Sequence, residues 1–269
     1  MEPITNAGEQ AALENKAPEL PNFIQMLYHK FHEEPWAEFL YNWENLVFAI
    51  IIAILLSLVL SRAIKYRRLI PCRLQNAAEM LVEGLESLVT GVLGPEQGRK
   101  YFPFLATLFV YILSMNLFGM VPLMKSPSSN INVTGALAIC VFVLVQFLNI
   151  RNMGVLGFLY HLAGSPKNAM EWILAPMMFP LELLTQLTRP VTLAIRLFGN
   201  VLGEDILVGA FSIFGLGVLA SYSLPVGVPL QIPFMFLAVL TSTMQALVFT
   251  LLTTVYILLS MPHSDEKHS

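Results

Sequence analysis

The chain has 269 residues, 56% of them hydrophobic and only 12% charged, with a net charge of −3. A soluble domain carries roughly a quarter charged residues. Half of that share leaves too little polar surface to clothe a soluble particle of this size, and a polytopic membrane protein is the class implied. No basic stripe with interleaved aromatics is present, which argues against a nucleic-acid partner. Two cysteines, Cys72 and Cys140, do not make a disulfide framework.

Residues 1–44 contain Glu2, Glu9, Glu14, Glu19, Glu33, Glu34, Glu38 and Glu44. They lack the basic-then-apolar order of a cleaved signal and are expected to form an N-terminal external segment. The membrane domain is expected over 45–269. Its first apolar run, Asn45 to Ser61, has LVFAIIIAILLSLVL at its core. With its flanks it is long enough to cross a hydrocarbon layer about 30 Å thick at ~1.5 Å per residue. Acidic residues precede it, and Arg62, Lys65, Arg67, Arg68 and Arg73 follow. The positive-inside rule then places the N-terminus outside and the following loop in the cytoplasm.

Over residues 73–98, Leu74, Ala77, Ala78, Leu81, Leu85 and Leu88 recur at helical spacing, with Gln75, Glu79, Glu83 and Glu86 between them. This spacing predicts an amphipathic helix at the cytoplasmic surface, or an ordinary linker helix, ended by Gly94 and Pro95. Tyr101 to Met124 and Ile131 to Ile150 read as the next two spans, joined by the short outer loop SPSSN. Arg99 and Lys100 open this hairpin and Arg151 closes it, so both of its ends are expected to be cytoplasmic. Two longer apolar segments follow, at about 172–212 and 231–260, separated by Pro225, Gly227, Pro229 and Pro233. Each exceeds the ~20 residues that cross a membrane upright, and strong tilt would house the excess. The expected fold is an all-α polytopic membrane protein. It has about five membrane-embedded helices plus the cytoplasmic-surface amphipathic helix, the last two membrane helices long and strongly tilted. The C-terminus is expected in the cytoplasm.

Charges inside apolar helices cost free energy and are read as functional by default. Glu182, Arg189, Arg196 and Gly203 recur every seven residues. Seven residues fall about 20° short of two helical turns, so the four form one slowly drifting stripe. Asn200 lies one turn beyond Arg196, and Gly199 and Gly203 leave room for another helix to approach. Glu204 and Asp205 point to other faces, Asp205 about half a turn around from Arg196. Arg189 and Glu182 also admit a structural reading, in which they pair with each other and snorkel. Arg196 has no carboxylate three or four residues away. On the last apolar segment Thr241, Ser242, Thr243 and Gln245 cluster. Hydroxyls in membrane helices commonly bond their own backbone, which leaves Gln245, both donor and acceptor, as the group expected to face Arg196. The five histidines are scattered, and no HExxH, GxSxG or P-loop pattern occurs, so no catalytic, metal or cofactor site is expected.

The run RPVTLAIRLFGN, Arg189 to Asn200, followed by Gln245 within TSTMQALVFTLLTTVYI, resembles subunit a of F-type ATP synthases. So do MNLFGMVP at 115–122 and NINVTGALA at 130–138, and the order of segments from about residue 40 onward. The resemblance implies a non-catalytic subunit lying in a lipid bilayer, and the acidic N-terminus, without the order of a cleaved signal, favours a bacterial inner membrane over an organelle. Its partners would be a ring of c subunits, each with a membrane-embedded carboxylate, and the b-subunit peripheral stalk. Two aqueous half-channels would end at the ring from opposite sides and carry an ion, H⁺ or Na⁺, with the proton favoured. By matching position, Arg196 would be the essential arginine, Asn200 its neighbouring asparagine and Gln245 the glutamine of the last helix. Glu182 would be the glutamate of the same helix, Asp205 a titratable half-channel residue, and Asn116 part of the outer path. Two positions depart from the pattern. Ala238 and Gly119 stand where some relatives have titratable groups, so Asp205, Glu204, Asn116 and water would line the half-channel. A secondary transporter or permease is the alternative class, but it predicts internal repeats and paired discontinuous helices, which the sequence lacks.

Overall fold

A computed structural model describes residues 22–30, 35–65, 73–121, 123–164, 169–220 and 230–261. Among them, regular structure is helical throughout: α1 (Phe23–Lys30), α2 (Pro35–Asn42), α3 (Glu44–Lys65), α4 (Arg73–Leu93), α5 (Pro95–Phe118), a 3-10 turn (Pro127–Ser129), α6 (Ile131–Leu162), α7 (Ala169–Ala220) and α8 (Ile232–Leu259). Five of these, α3 and α5 to α8, are long and apolar enough to cross a membrane. The expected count and order of spans therefore hold. In a hydrocarbon layer a helix satisfies its own backbone polar groups, which is why each uncharged run takes this form.

Several boundaries differ from expectation for local reasons. α5 begins at Pro95, not Tyr101. Gly94 turns the chain with φ 81°, a left-handed conformation that glycine adopts freely, and proline is preorganised for a first helical turn. Arg99 and Lys100 thus ride on the start of the helix instead of preceding it. α5 also stops at Phe118, short of Met124, where Met120 and Val121 donate backbone bonds to Leu117 and Phe118 and tighten the end. α6 does not end at Arg151. It runs on to Leu162, with a kink at Gly154, whose φ of 72° breaks the helical geometry. Pro176, Pro180 and Pro190 lie inside α7 without ending it. At ~1.5 Å per residue its 52 residues would run about 78 Å, more than twice the hydrocarbon thickness, a length that strong tilt would accommodate. Cys72, the Pro225–Pro229 break and the polar C-terminal tail lie outside the described residues.

The core is built around α5. Its Leu105, Leu108, Phe109, Ile112 and Met115 are buried in one cluster with Val141 and Val145 of α6, Leu193 and Leu197 of α7, and Phe249 and Ile257 of α8, and α5 itself lies closest to α4 and α8. The amphipathic α4 belongs to this packing. Leu85, Val89 and Leu93, one turn apart, are buried in the same cluster, while Glu79 and Glu83 stay exposed. At the α4–α5 corner Gly98 admits Thr90 so closely that a Cβ would lie 2.8 Å from its methyl and 2.9 Å from its Cα.

Overpacking a tight contact costs typically about 1–3 kcal/mol. Gly98→Leu is therefore expected to lower the melting temperature of the purified protein and its yield in the membrane, whereas Gly84→Leu, with nothing within 4 Å, leaves both unchanged. Equal behaviour of the two variants would show that the α4–α5 contact is not tight.

Candidate functional site around Arg196

The fold sorts the residues of α7 by face. Leu193, Ala194, Leu197 and Val201 are buried in the core. The opposite side carries Arg196 and Asn200, both exposed, beside Val191 and Ile195. A Cβ at Gly199 or Gly203 would meet nothing within 4 Å. Only 17% of the most apolar stretch of α7 is buried within the chain, the smallest share among the five spans. Arg196 makes no ion pair or hydrogen bond to any described residue. A guanidinium in hydrocarbon is costly unless something faces it, so this open face is incomplete in the isolated chain.

Asn200 and Gln245 do meet. The Asn200 Nδ2 donates to Gln245 Oε1 at 2.9 Å. Gln245 was expected to face Arg196; it instead bonds the asparagine one turn further along α7. Its Nε2 is buried without a partner. This single amide–amide bond ties α7 to α8 just beside the arginine.

A second group lies around a cavity of ≈ 150 Å³ lined by Asn116 of α5, Glu204 and Asp205 of α7, Gln231 and Ala238 at the start of α8, and Lys125 of the connecting loop. Both amide atoms of Asn116 and Oε1 of Glu204 are buried with no hydrogen-bond partner among the described residues. Orphaned polar atoms beside a cavity of this size with several polar groups in its wall are the setting in which ordered water binds. The Ser242 hydroxyl donates to the other oxygen of Glu204 at 3.0 Å. Asn116, Glu204 and Asp205, far apart in sequence or on different faces, therefore converge on one space.

A third group surrounds Glu182, two and four turns before Arg189 and Arg196. The Gln146 Nε2 of α6 donates to Gln186 Oε1 at 2.8 Å. Gln186 in turn reaches Glu182 at 3.5 Å, and Asn149 reaches Gln146 at 3.4 Å. Arg189 does not pair with Glu182. Its guanidinium sits 5.1 Å from the ring centre of Tyr256, a cation–π arrangement, beside a void of ≈ 20 Å³.

Sequence reasoning missed five participants. Ser242 was grouped with Thr241 and Thr243, which do bond their own backbone, but its hydroxyl crosses to Glu204. Gln146 and Asn149 sat three apart inside an apolar run, a signal of a polar face that was available. Glu44 and Lys125 form an ion pair at 3.1 Å across 81 positions, which no local pattern announces.

Residues 45–258 match the family described as ATP synthase A chain. The chain is 61% identical over 98% of its length, and 97% of the relative's, to ATP synthase subunit a of Protochlamydia amoebophila (strain UWE25). It is 39% identical to ATP synthase subunit a 1 of Pelobacter propionicus, over 85% of this chain and 87% of that one. It is 37% identical to ATP synthase subunit a of Solidesulfovibrio magneticus, over 82% and 85%.

A double-mutant cycle of Asn200→Ala and Gln245→Ala, read as stability of the purified protein in a denaturing-detergent titration, is expected to give a coupling of about 0.5–1.5 kcal/mol, the net worth of one hydrogen bond. Additive losses would mean that the two amides do not bond.

Proposed function

The chain belongs to the ATP synthase A chain family, and on that premise we propose that it is the non-catalytic, ion-translocating subunit a of a rotary F-type ATP synthase. It lies against a c-subunit ring and alongside the b-subunit stalk in a bacterial inner membrane, and carries protons through two half-channels that end at Arg196. The observation that carries this reading is the open face of α7. A permanent charge stands on an apolar helix, flanked by Asn200 and two glycines with free space above them, and among the described residues no carboxylate pairs with it. A ring carboxylate fits that vacancy in charge, and small residues admit a close helix.

The chemistry follows from the guanidinium. It stays protonated at any accessible pH, so it cannot relay a proton and blocks direct leakage between the two paths. Its charge favours the ionised form of a passing carboxylate and so promotes release of the bound proton. Lysine would serve less well, because burial readily lowers its pKa. The membrane potential drives the cycle, one charge crossing 100 mV being worth about 2.3 kcal/mol.

The two remaining polar groups suit the two half-channels. The Asn116–Glu204–Asp205 cavity would be the outer one, on the side to which the charge pattern assigns residues 1–44. Glu182 with Gln186 and Gln146 would line the inner one. The membrane domain over 45–269 would then hold the whole pathway, and nucleotide chemistry would belong to partner subunits.

Arg196→Ala is expected to leave the ring bound in a pull-down yet abolish ATP-driven proton pumping in inverted vesicles. Normal pumping would overturn the separator role. Glu204→Gln, with the ring still bound, should cut pumping at least about tenfold, the loss that follows from ~1.4 kcal/mol on the limiting barrier. Unchanged pumping would remove Glu204 from the path.

A further inference from the structure

The loop between α5 and α6 forms the rim of the 150 Å³ cavity, contributing Val121, Leu123, Met124 and Lys125. This rim is held in place from several sides. Leu123 adopts φ 67°, a left-handed conformation unfavourable for a branched residue. Its carbonyl accepts a 2.8 Å bond from the backbone N–H of Phe23 at the start of α1. The Ser126 hydroxyl donates to the Met115 carbonyl at 3.0 Å. Lys125 meets Glu44, the first residue of α3, at 3.1 Å. The second oxygen of Glu44 accepts from Asn22 Nδ2 at 3.3 Å, and Asn22 is itself buried. The carboxylate is thus gripped at both oxygens and cannot swing away from the lysine.

Among the described residues the charges at this cavity are few: α7 supplies Glu204 and Asp205, the loop supplies Lys125, Glu44 of α3 stands against that lysine, and α5 and the residue before α8 supply the neutral Asn116 and Gln231. Resting on the translocation reading above, we propose that Glu44 is a specificity-determining residue for ion uptake. It offsets the charge of Lys125 at the cavity rim, so that a cation can reach Glu204 and Asp205 from the outer side. A lysine beside a narrow, weakly screened opening repels incoming cations. A fixed carboxylate against it cancels that repulsion while the lysine still anchors the rim. As a stability device alone the pair is a poor choice, since well-packed apolar residues commonly serve equally well in place of an interior ion pair. A role in setting the local potential gives its retention beside the cavity a physical reason.

The sign of the charge change separates this role from a structural one. Glu44→Gln adds one positive charge at the rim and Lys125→Gln removes one, yet both break the same ion pair. The test is ATP synthesis by the complete synthase in proteoliposomes, at fixed membrane potential, against the pH on the outer, proton-source side. Glu44→Gln is expected to move the half-maximal pH about half to one unit more acidic, the size of an ordinary charge-induced shift. Lys125→Gln is expected to move it to the alkaline side, the double variant to return it towards the wild-type value, and Glu44→Asp to leave it in place. Shifts of both single variants in one direction, or no shift, would overturn the proposal. If Glu44→Gln does not assemble, Lys125→Gln decides by itself: an alkaline shift supports the proposal, and an acidic shift or none overturns it. Arg196→Ala in the same assay keeps the two readings apart. Its normal activity would bring down the translocation reading, whereas its inactivity with unshifted Glu44 and Lys125 variants would bring down this inference alone.

Discussion

The arrangement depends on one constraint: a guanidinium cannot be discharged, and α7 carries one into the apolar layer. Every other polar choice near it follows. The core takes Leu193, Ala194, Leu197 and Val201 from the far side of α7, which fixes Arg196 outward. The same choice puts Asn200 at the edge, where it reaches Gln245 of α8 at 2.9 Å. That bond, with the one from Ser242 to Glu204, helps set how α8 stands relative to the arginine. Because bonds of this kind are worth little individually in membranes, often under 1 kcal/mol, the alignment also needs the apolar packing of Ala246 and Phe249 beneath it.

α8 shows how the chain distinguishes polar groups that serve the helix from those that serve the site. Thr250, Thr253 and Thr254 are buried and bond carbonyls four residues back, at 2.8–2.9 Å. They are satisfied within their own helix and require nothing from a neighbour. Ser242 and Gln245, on the stretch that crosses α7, reach other helices instead. A hydroxyl that leaves its own backbone for a carboxylate gains a charge-assisted bond, roughly twice as strong as a neutral one.

Much of this was legible from sequence, and the limits are physical. Long uncharged runs become helices because hydrocarbon permits little else, so the five spans and their order could be read directly. Their ends could not. Arg99 and Lys100 marked a membrane boundary, but a helix does not stop where the membrane does, and Pro95 starts α5 a turn and a half earlier. Arg151 misled in the same way for α6. The seven-residue stripe on α7 correctly separated Arg196 from Asp205, since both lie on one helix whose geometry is known in advance. Relations between helices were harder. The bond from Ser242 to Glu204 and the pair of Glu44 with Lys125 depend on packing, and nothing in the spacing of residues 38 or 81 apart favours one partner over another.

The incline of α7 bears on how two charged stations share one helix. Glu182 and Glu204 are 22 residues apart, a rise of about 33 Å at ~1.5 Å per residue, slightly more than the hydrocarbon thickness. On an upright helix they would sit at opposite membrane surfaces, each already in contact with bulk water, and no channel would be required. An inclined helix would draw both towards the middle of the layer, and on the proposed function water would then have to reach each of them. On one side the fold provides the cavity bordered by Asn116, Glu204 and Asp205. On the other, Gln186 and Gln146 carry a line of amides from α6 to Glu182. Arg196 stands between the two stations, 14 residues after the first and eight before the second. On the proposed function, length, incline and buried amides work together: a shorter or straighter α7 would no longer hold the two polar regions apart across Arg196 inside the membrane.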